Sequence, residues 1–131
     1  MEELCSKNVI SHVVLGDTET KARKLWKMRE DIPEANRKIG AITSHDLSLP
    51  LENMESFINK SLIEIAEINK FLRVNCFGHM GDGNLHFNVF PPREEKNSSY
   101  VRIKSQLTKV INNNCKRLGG SFSVQSMELV D

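Results

Sequence analysis

Two short runs, Leu72–Phe77 (LRVNCF) and Asn84–Phe90 (NLHFNVF), are separated only by Gly-His-Met-Gly-Asp-Gly. No crossover helix fits in that gap. Parallel strands need a connection of a dozen residues or more, so the two runs must be antiparallel neighbours. In the second run side chains alternate between faces. Leu85, Phe87 and Val89 point one way, while His86 and Asn88, with Phe90, point the other. The apolar set is expected to face a core. The polar set then lies on a face that has no reason to be polar unless it is open or lines a site.

The remaining pattern supplies that core. Val9–Leu15 is β-branched and reads as a strand ended by Gly16-Asp17. Asp17 or Thr18 caps a helix through Glu30, with Ala22, Leu25, Trp26 and Arg29 on one side. Pro33 breaks that helix, because it lacks an N–H and clashes with the preceding turn. A second short helix then runs to about Lys38, closed by Gly40. Thr43–Leu49 reads as a strand stopped by Pro50. Met54, Phe57, Ile58, Leu62, Ile65 and Ile68 recur at helical steps. From about Asn97 a long amphipathic helix carries Ile103, Leu107, Val110, Ile111, Cys115 and Leu118, and Gly119-Gly120 ends it. Ser121–Val124 opens one more strand. Helices on one face of a mostly antiparallel sheet give an α+β fold, and no linker divides residues 1–131 into two domains.

Composition narrows the class. Hydrophobic residues make up 39% and charged residues 27%, which fits a globular chain. The net charge of +1 gives no electrostatic pull toward nucleic acid. Cys5, Cys76 and Cys115 are odd in number and form no C-x-x-C, so free thiols in a reducing compartment are expected. The N-terminus has neither a signal-peptide pattern nor a membrane-length apolar run.

Several readings of the glycine cluster compete. His79 and His86 are suitable nitrogen ligands for a divalent metal, and a third ligand must come from elsewhere. A phosphate cradle is disfavoured, since a strand rather than a helix follows and no Lys-Ser/Thr is present. A general-base histidine is a third reading, which spacing alone does not establish. A plain tight turn with surface histidines is the bland reading. Arg29, one turn after Leu25-Trp26, is suited to clamp a carboxylate through two parallel hydrogen bonds, or to pair with Glu30 or Asp31 on a solvated helix.

Four segments taken together, LWKMRE, HDLSLPL, FGHMGDGNLHFNV and GGSFS, resemble in order and spacing the C-terminal domain of the FAD-linked oxidases of the D-lactate dehydrogenase, glycolate oxidase and D-2-hydroxyglutarate dehydrogenase type. The resemblance implies a ferredoxin-like α+β domain. It implies that His79 and His86 bind a divalent metal, usually zinc, that polarises the substrate hydroxyl. It implies that Arg29 clamps the substrate carboxylate and that Asn88 also contacts substrate.

The chain departs from the family pattern at several places. Ser44-His45-Asp46 stands where the family has Lys-Tyr-Asp, which removes a substrate-binding cation. Pro33 replaces a threonine. Gln125 and Ser126 stand where the family has a glutamate ligand and a histidine proton acceptor. The flavin-binding domain lies outside this sequence. The expectation is a partial domain: the substrate- and metal-binding portion of an FAD-dependent 2-hydroxy-acid dehydrogenase or oxidase, inactive alone, needing a flavin-domain chain and a small 2-hydroxy acid. The alternative is a non-catalytic remnant with weak metal binding. A cytoplasmic location is expected, or the mitochondrial matrix in a eukaryote.

Overall fold

The computed structural model describes residue 7 and residues 11–123, with Met80 described by its backbone alone. The chain falls into two compact units, Met1–Lys38 and Ile39–Asp131, and each is described by itself.

In the first unit, helix α1 (Glu19–Glu30) starts at Thr18, whose hydroxyl accepts from the Lys21 N–H at 3.3 Å. Asp31 ends α1, and its carbonyl accepts from the Ala35 N–H to begin helix α2 (Ile32–Ile39), which reaches the boundary between the units. Pro33 falls in the first turn of α2, where its missing N–H costs nothing. Ion pairs run along these helices: Lys27–Asp31 at 2.9 Å, Arg37–Glu34 at 2.9 Å, and Arg23–Glu19. Neither helix buries a side chain. The strand expected over Val9–Leu15 is not seen in its described part. Residues 11–17 form no regular element, and Val14 and Leu15 are exposed. A β-branched run becomes a strand only where a neighbour supplies ladder hydrogen bonds, and no described strand pairs with this one. Residues 8–10 lie outside the described residues.

The second unit carries the sheet. Its elements are β1 (Thr43–Ser48), α3 (Leu51–Ile68), β2 (Arg73–Phe77), β3 (Asn84–Phe90), α4 (Val101–Arg117) and β4 (Ser121–Ser123). A 3-10 turn at Met80–Asp82 sits in the β2–β3 connection, and another at Asn97–Tyr100 leads into α4. The strands lie in the order β2-β3-β1-β4, and every pairing is antiparallel. A β-α-β-β-α-β chain with β3 inserted between β1 and β2 is the split βαβ, or ferredoxin-like, arrangement.

Both helices pack on one face. Leu47, Leu85, Phe87 and Val89 from the strands meet Met54, Phe57 and Ile65 from α3 and Leu107, Ile111 and Cys115 from α4. The Phe57 and Phe87 rings meet edge to face at 5.5 Å, and both are fully buried. One detail differs from the expected helical stripe. Leu62 is 40% exposed, while its neighbour Ser61 is buried. Ser61 is turned toward α4, where the buried Asn114 amide lies 3.4 Å from its hydroxyl and donates to Glu64 at 3.2 Å.

Candidate functional site

The opposite face of the sheet holds the polar chemistry, and the register sets its rows. Phe77, His86, Asp46 and Ser123 line up across β2, β3, β1 and β4. The next row is Asn75, Asn88 and Ser44. His86 and Asn88 are thus brought together on one face of β3, two residues apart.

His86 is held on both sides. Its Nδ1 lies 2.5 Å from Asp46 Oδ1, and the two side chains are 37% and 42% exposed. The Phe77 ring lies 4.9 Å from the imidazole, tilted by 36°. Asn88, flanked by Asn75 and Ser44, is only 7% exposed.

His79 is exposed in the loop that returns β2 to β3. Its carbonyl accepts the N–H groups of Asp82 at 3.0 Å and Asn84 at 3.2 Å, which folds the loop back onto the head of β3. Two glycines make that fold possible. A Cβ on Gly78 would lie 2.2 Å from the Asn84 carbonyl oxygen. Gly83 has φ of +72°, and a Cβ there would lie 2.4 Å from the Leu49 carbonyl oxygen. Arg29 lies in the last turn of α1, in the first unit. Gln125 and Ser126 lie outside the described residues.

Arg73 shares the open face with Asn75 and Phe77, and its Nε donates to the Pro91 carbonyl at 2.8 Å, whereas His45 and Cys76 lie on the packed side. His45, between Asp46 and Ser44, points to the helix side and is buried. Burial drives its pKa below the ordinary 6.5, against weaker opposing pulls from Asn112 and Asp46. Its Nε2 has no hydrogen-bond partner, nor have Thr43 Oγ1 and Asn112 Oδ1. Burial pushes the Cys76 thiol up to about 11, which favours its neutral form.

The donor set of the open face can be tested against a divalent ion. His86 is partly exposed, and its Nδ1 is engaged by Asp46, so Nε2 is the nitrogen left to face outward. That is the usual disposition of a metal-bound imidazole. His79 is exposed as well. Among the described residues no group of three or more His, Cys, Asp or Glu side chains is placed to hold a metal. His79 and His86 are donors of the type such an ion takes, but the described residues do not assemble a complete metal site around them. Asp46 had no role in the sequence reading. Its signal was present in the alternation of β1, which turns Thr43, His45 and Leu47 inward and Ser44, Asp46 and Ser48 outward.

An antiparallel split βαβ sheet with one apolar and one histidine-bearing face defines the class, and comparison with known proteins identifies the family. Residues 1–125 match the FAD linked oxidases, C-terminal domain, and the chain belongs to that family. A mitochondrial protein of Schizosaccharomyces pombe, provisionally named as a D-lactate dehydrogenase, is 38% identical over 73% of this chain and 21% of its own length. The D-2-hydroxyglutarate dehydrogenase of Xanthomonas citri is 30% identical over 88% of this chain and 24% of its own length. The mitochondrial D-2-hydroxyglutarate dehydrogenase of Arabidopsis thaliana is 36% identical over 63% of this chain and 14% of its own. The chain thus spans between 14% and 24% of these relatives. No described helix is long and apolar enough to cross a membrane.

Proposed function

We propose that this chain is the substrate- and metal-binding portion of an FAD-dependent D-2-hydroxy-acid dehydrogenase, and that it works only with a flavin-bearing polypeptide. The observation that carries this reading is the pairing of a family match over residues 1–125 with a sheet face on which His86 and Asn88 stand side by side. His79 and His86 are the metal donors; imidazole suits zinc among other divalent ions, and the family resemblance favours zinc. Asn88 offers both an N–H donor and a carbonyl acceptor to substrate. The Arg29 guanidinium matches a carboxylate with two parallel N–H donors. Bound there, the ion would supply Lewis acidity to the substrate hydroxyl, and FAD on the partner polypeptide the hydride acceptor. With Ser44 in place of the family's lysine, the carboxylate is held by fewer cations, and substrate binding is weak. The mitochondrial names of the Arabidopsis and Bos taurus relatives support a mitochondrial location if the source is eukaryotic; the matrix in that case, and the cytoplasm otherwise, is the location proposed.

A second reading, a non-catalytic remnant, is favoured by one observation. Ser44 stands directly opposite Asn88, so the family's cation is missing from the face itself. Two measurements separate the readings. Metal analysis of protein purified without chelator should give a bound divalent ion, lost in a His79→Ala/His86→Ala double variant. Equal metal in both would remove the metal role. Mixing the chain with a flavin-bearing polypeptide from a relative should yield dye reduction dependent on a D-2-hydroxy acid. The chain by itself should be colourless and inert. Metal binding without dye reduction in any mixture would favour the remnant.

A further inference from the structure

We propose that Asp46 is the positioning residue of the open face: it fixes the tautomer of His86 so that Nε2 carries the lone pair. The proposal deepens the reading of His86 as a metal donor and rests on it. Its central claim nonetheless concerns the metal-free chain and can be tested there.

The argument starts from register. The β1–β3 ladder sets Asp46 directly opposite His86, with Oδ1 at 2.5 Å from Nδ1. An ionised carboxylate only accepts hydrogen bonds, so the proton between them belongs to Nδ1. In a neutral ring the other nitrogen is then the acceptor. An imidazole free in water favours the opposite tautomer, with the proton on Nε2, which would block the outward nitrogen. The carboxylate therefore reverses the intrinsic preference of the ring.

Phe77 holds the ring from the other side. It is the β2 partner of His86, and its ring lies 4.9 Å away at 36°. A half-turn of the imidazole would put Cδ2 where Nδ1 now meets Asp46 and would lose the bond. Both flanking residues sit on strands paired with β3, so the orientation is set by the ladder rather than by a loop. Asp46 acts through His86, because the oxygen closest to the ring is committed to Nδ1.

Nitrogen NMR decides the matter on the full chain. Long-range proton–nitrogen correlation at about pH 8, above the ordinary histidine pKa, reports which nitrogen of each ring carries the proton. The wild-type chain should show His86 with the proton on Nδ1. Asp46→Asn, whose amide can donate as well as accept, should move His86 toward the Nε2-protonated form. Zinc affinity, measured by competition with a chelator, should fall about 10–100-fold in the same variant, with the far-UV circular dichroism unchanged. A wild-type ring protonated on Nε2, or a tautomer unaltered by Asp46→Asn, overturns the proposal. The wild-type spectrum decides even if the variant fails to fold. A wild-type Nδ1–H ring that switches in the variant, in a chain that binds no zinc, supports the role of Asp46 and refutes the metal reading alone.

Discussion

Adjacent side chains on β1 meet opposite environments. Asp46 stands on the open face beside His86, while His45 is turned into the packed side with an unpartnered Nε2. The consequence for His45 is a pH-dependent stability. Burial lowers its folded-state pKa below the unfolded value of 6.5, so the unfolded chain takes up the proton first as the pH falls. Its contribution is complete above about pH 6.5 and is lost as the pH drops from there through the folded-state pKa. Urea midpoints measured between about pH 7.5 and pH 5 should fall toward the acid end. A His45→Phe variant should show a shallower fall over that window. Equal slopes would mean that His45 titrates as it does in water. The direction of His45 follows from alternation alone once β1 is recognised. The contact between Asp46 and His86 does not, because it depends on a register between strands 40 residues apart in sequence, and a one-residue slip would send Asp46 to the other face.

At the scale of elements, the β2–β3 connection separates glycines that shape the turn from one that does not. Gly78 and Gly83 have carbonyl oxygens where a Cβ would sit, at 2.2 Å and 2.4 Å, whereas a Cβ on Gly81 would meet nothing within 4 Å. Gly78→Ala and Gly83→Ala should each lower stability by roughly 2 kcal/mol or more, since backbone must move to admit the methyl group. Gly81→Ala should change it by about 0.5 kcal/mol in either direction. Thermal denaturation of the three variants checks the ranking, and a Gly81→Ala penalty as large as the others would mean that Gly81 is as closely hemmed in as its neighbours. The position of this turn, the α3 and α4 stripes and the Pro33 break were readable from local chemistry. The burial of Ser61 in place of Leu62 was not, since it depends on where Asn114 of the second helix arrives. The described part of the strand expected over Val9–Leu15, residues 11–15, forms none for the same kind of reason: β-branched residues state a preference, and a partner strand has to realise it.

For the whole molecule, the two units rest on different sources of stability. The second has a shared apolar core with Phe57, Phe87, Leu107 and Ile111 fully buried. In the first, α1 and α2 contain no buried residue; they carry a cap worth about 1 kcal/mol and surface ion pairs worth a few tenths of a kcal/mol each. A helix of 12 residues such as α1 is at the length, about 12–15 residues, where isolated helices are marginal in water. The chain should therefore unfold in more than one step. Trp26, the sole tryptophan, lies on α1 and reports the first unit. Cys115, fully buried, reports the second through its reaction with a thiol reagent. Trp26 fluorescence should change at lower urea than the concentration that opens Cys115. A single coincident transition would mean that the first unit draws its stability from contacts beyond its own.

The division of β3 between its two faces reaches into the history of such a chain. Odd-numbered residues of the strand answer to packing, and His86 and Asn88 answer to whatever the open face meets. Selection on one set scarcely constrains the other. A descendant released from catalysis could trade away its histidine or its asparagine and still inherit an intact sheet. The fold can outlive the reaction it was recruited for, and along this strand the record of that loss would be written at every second residue.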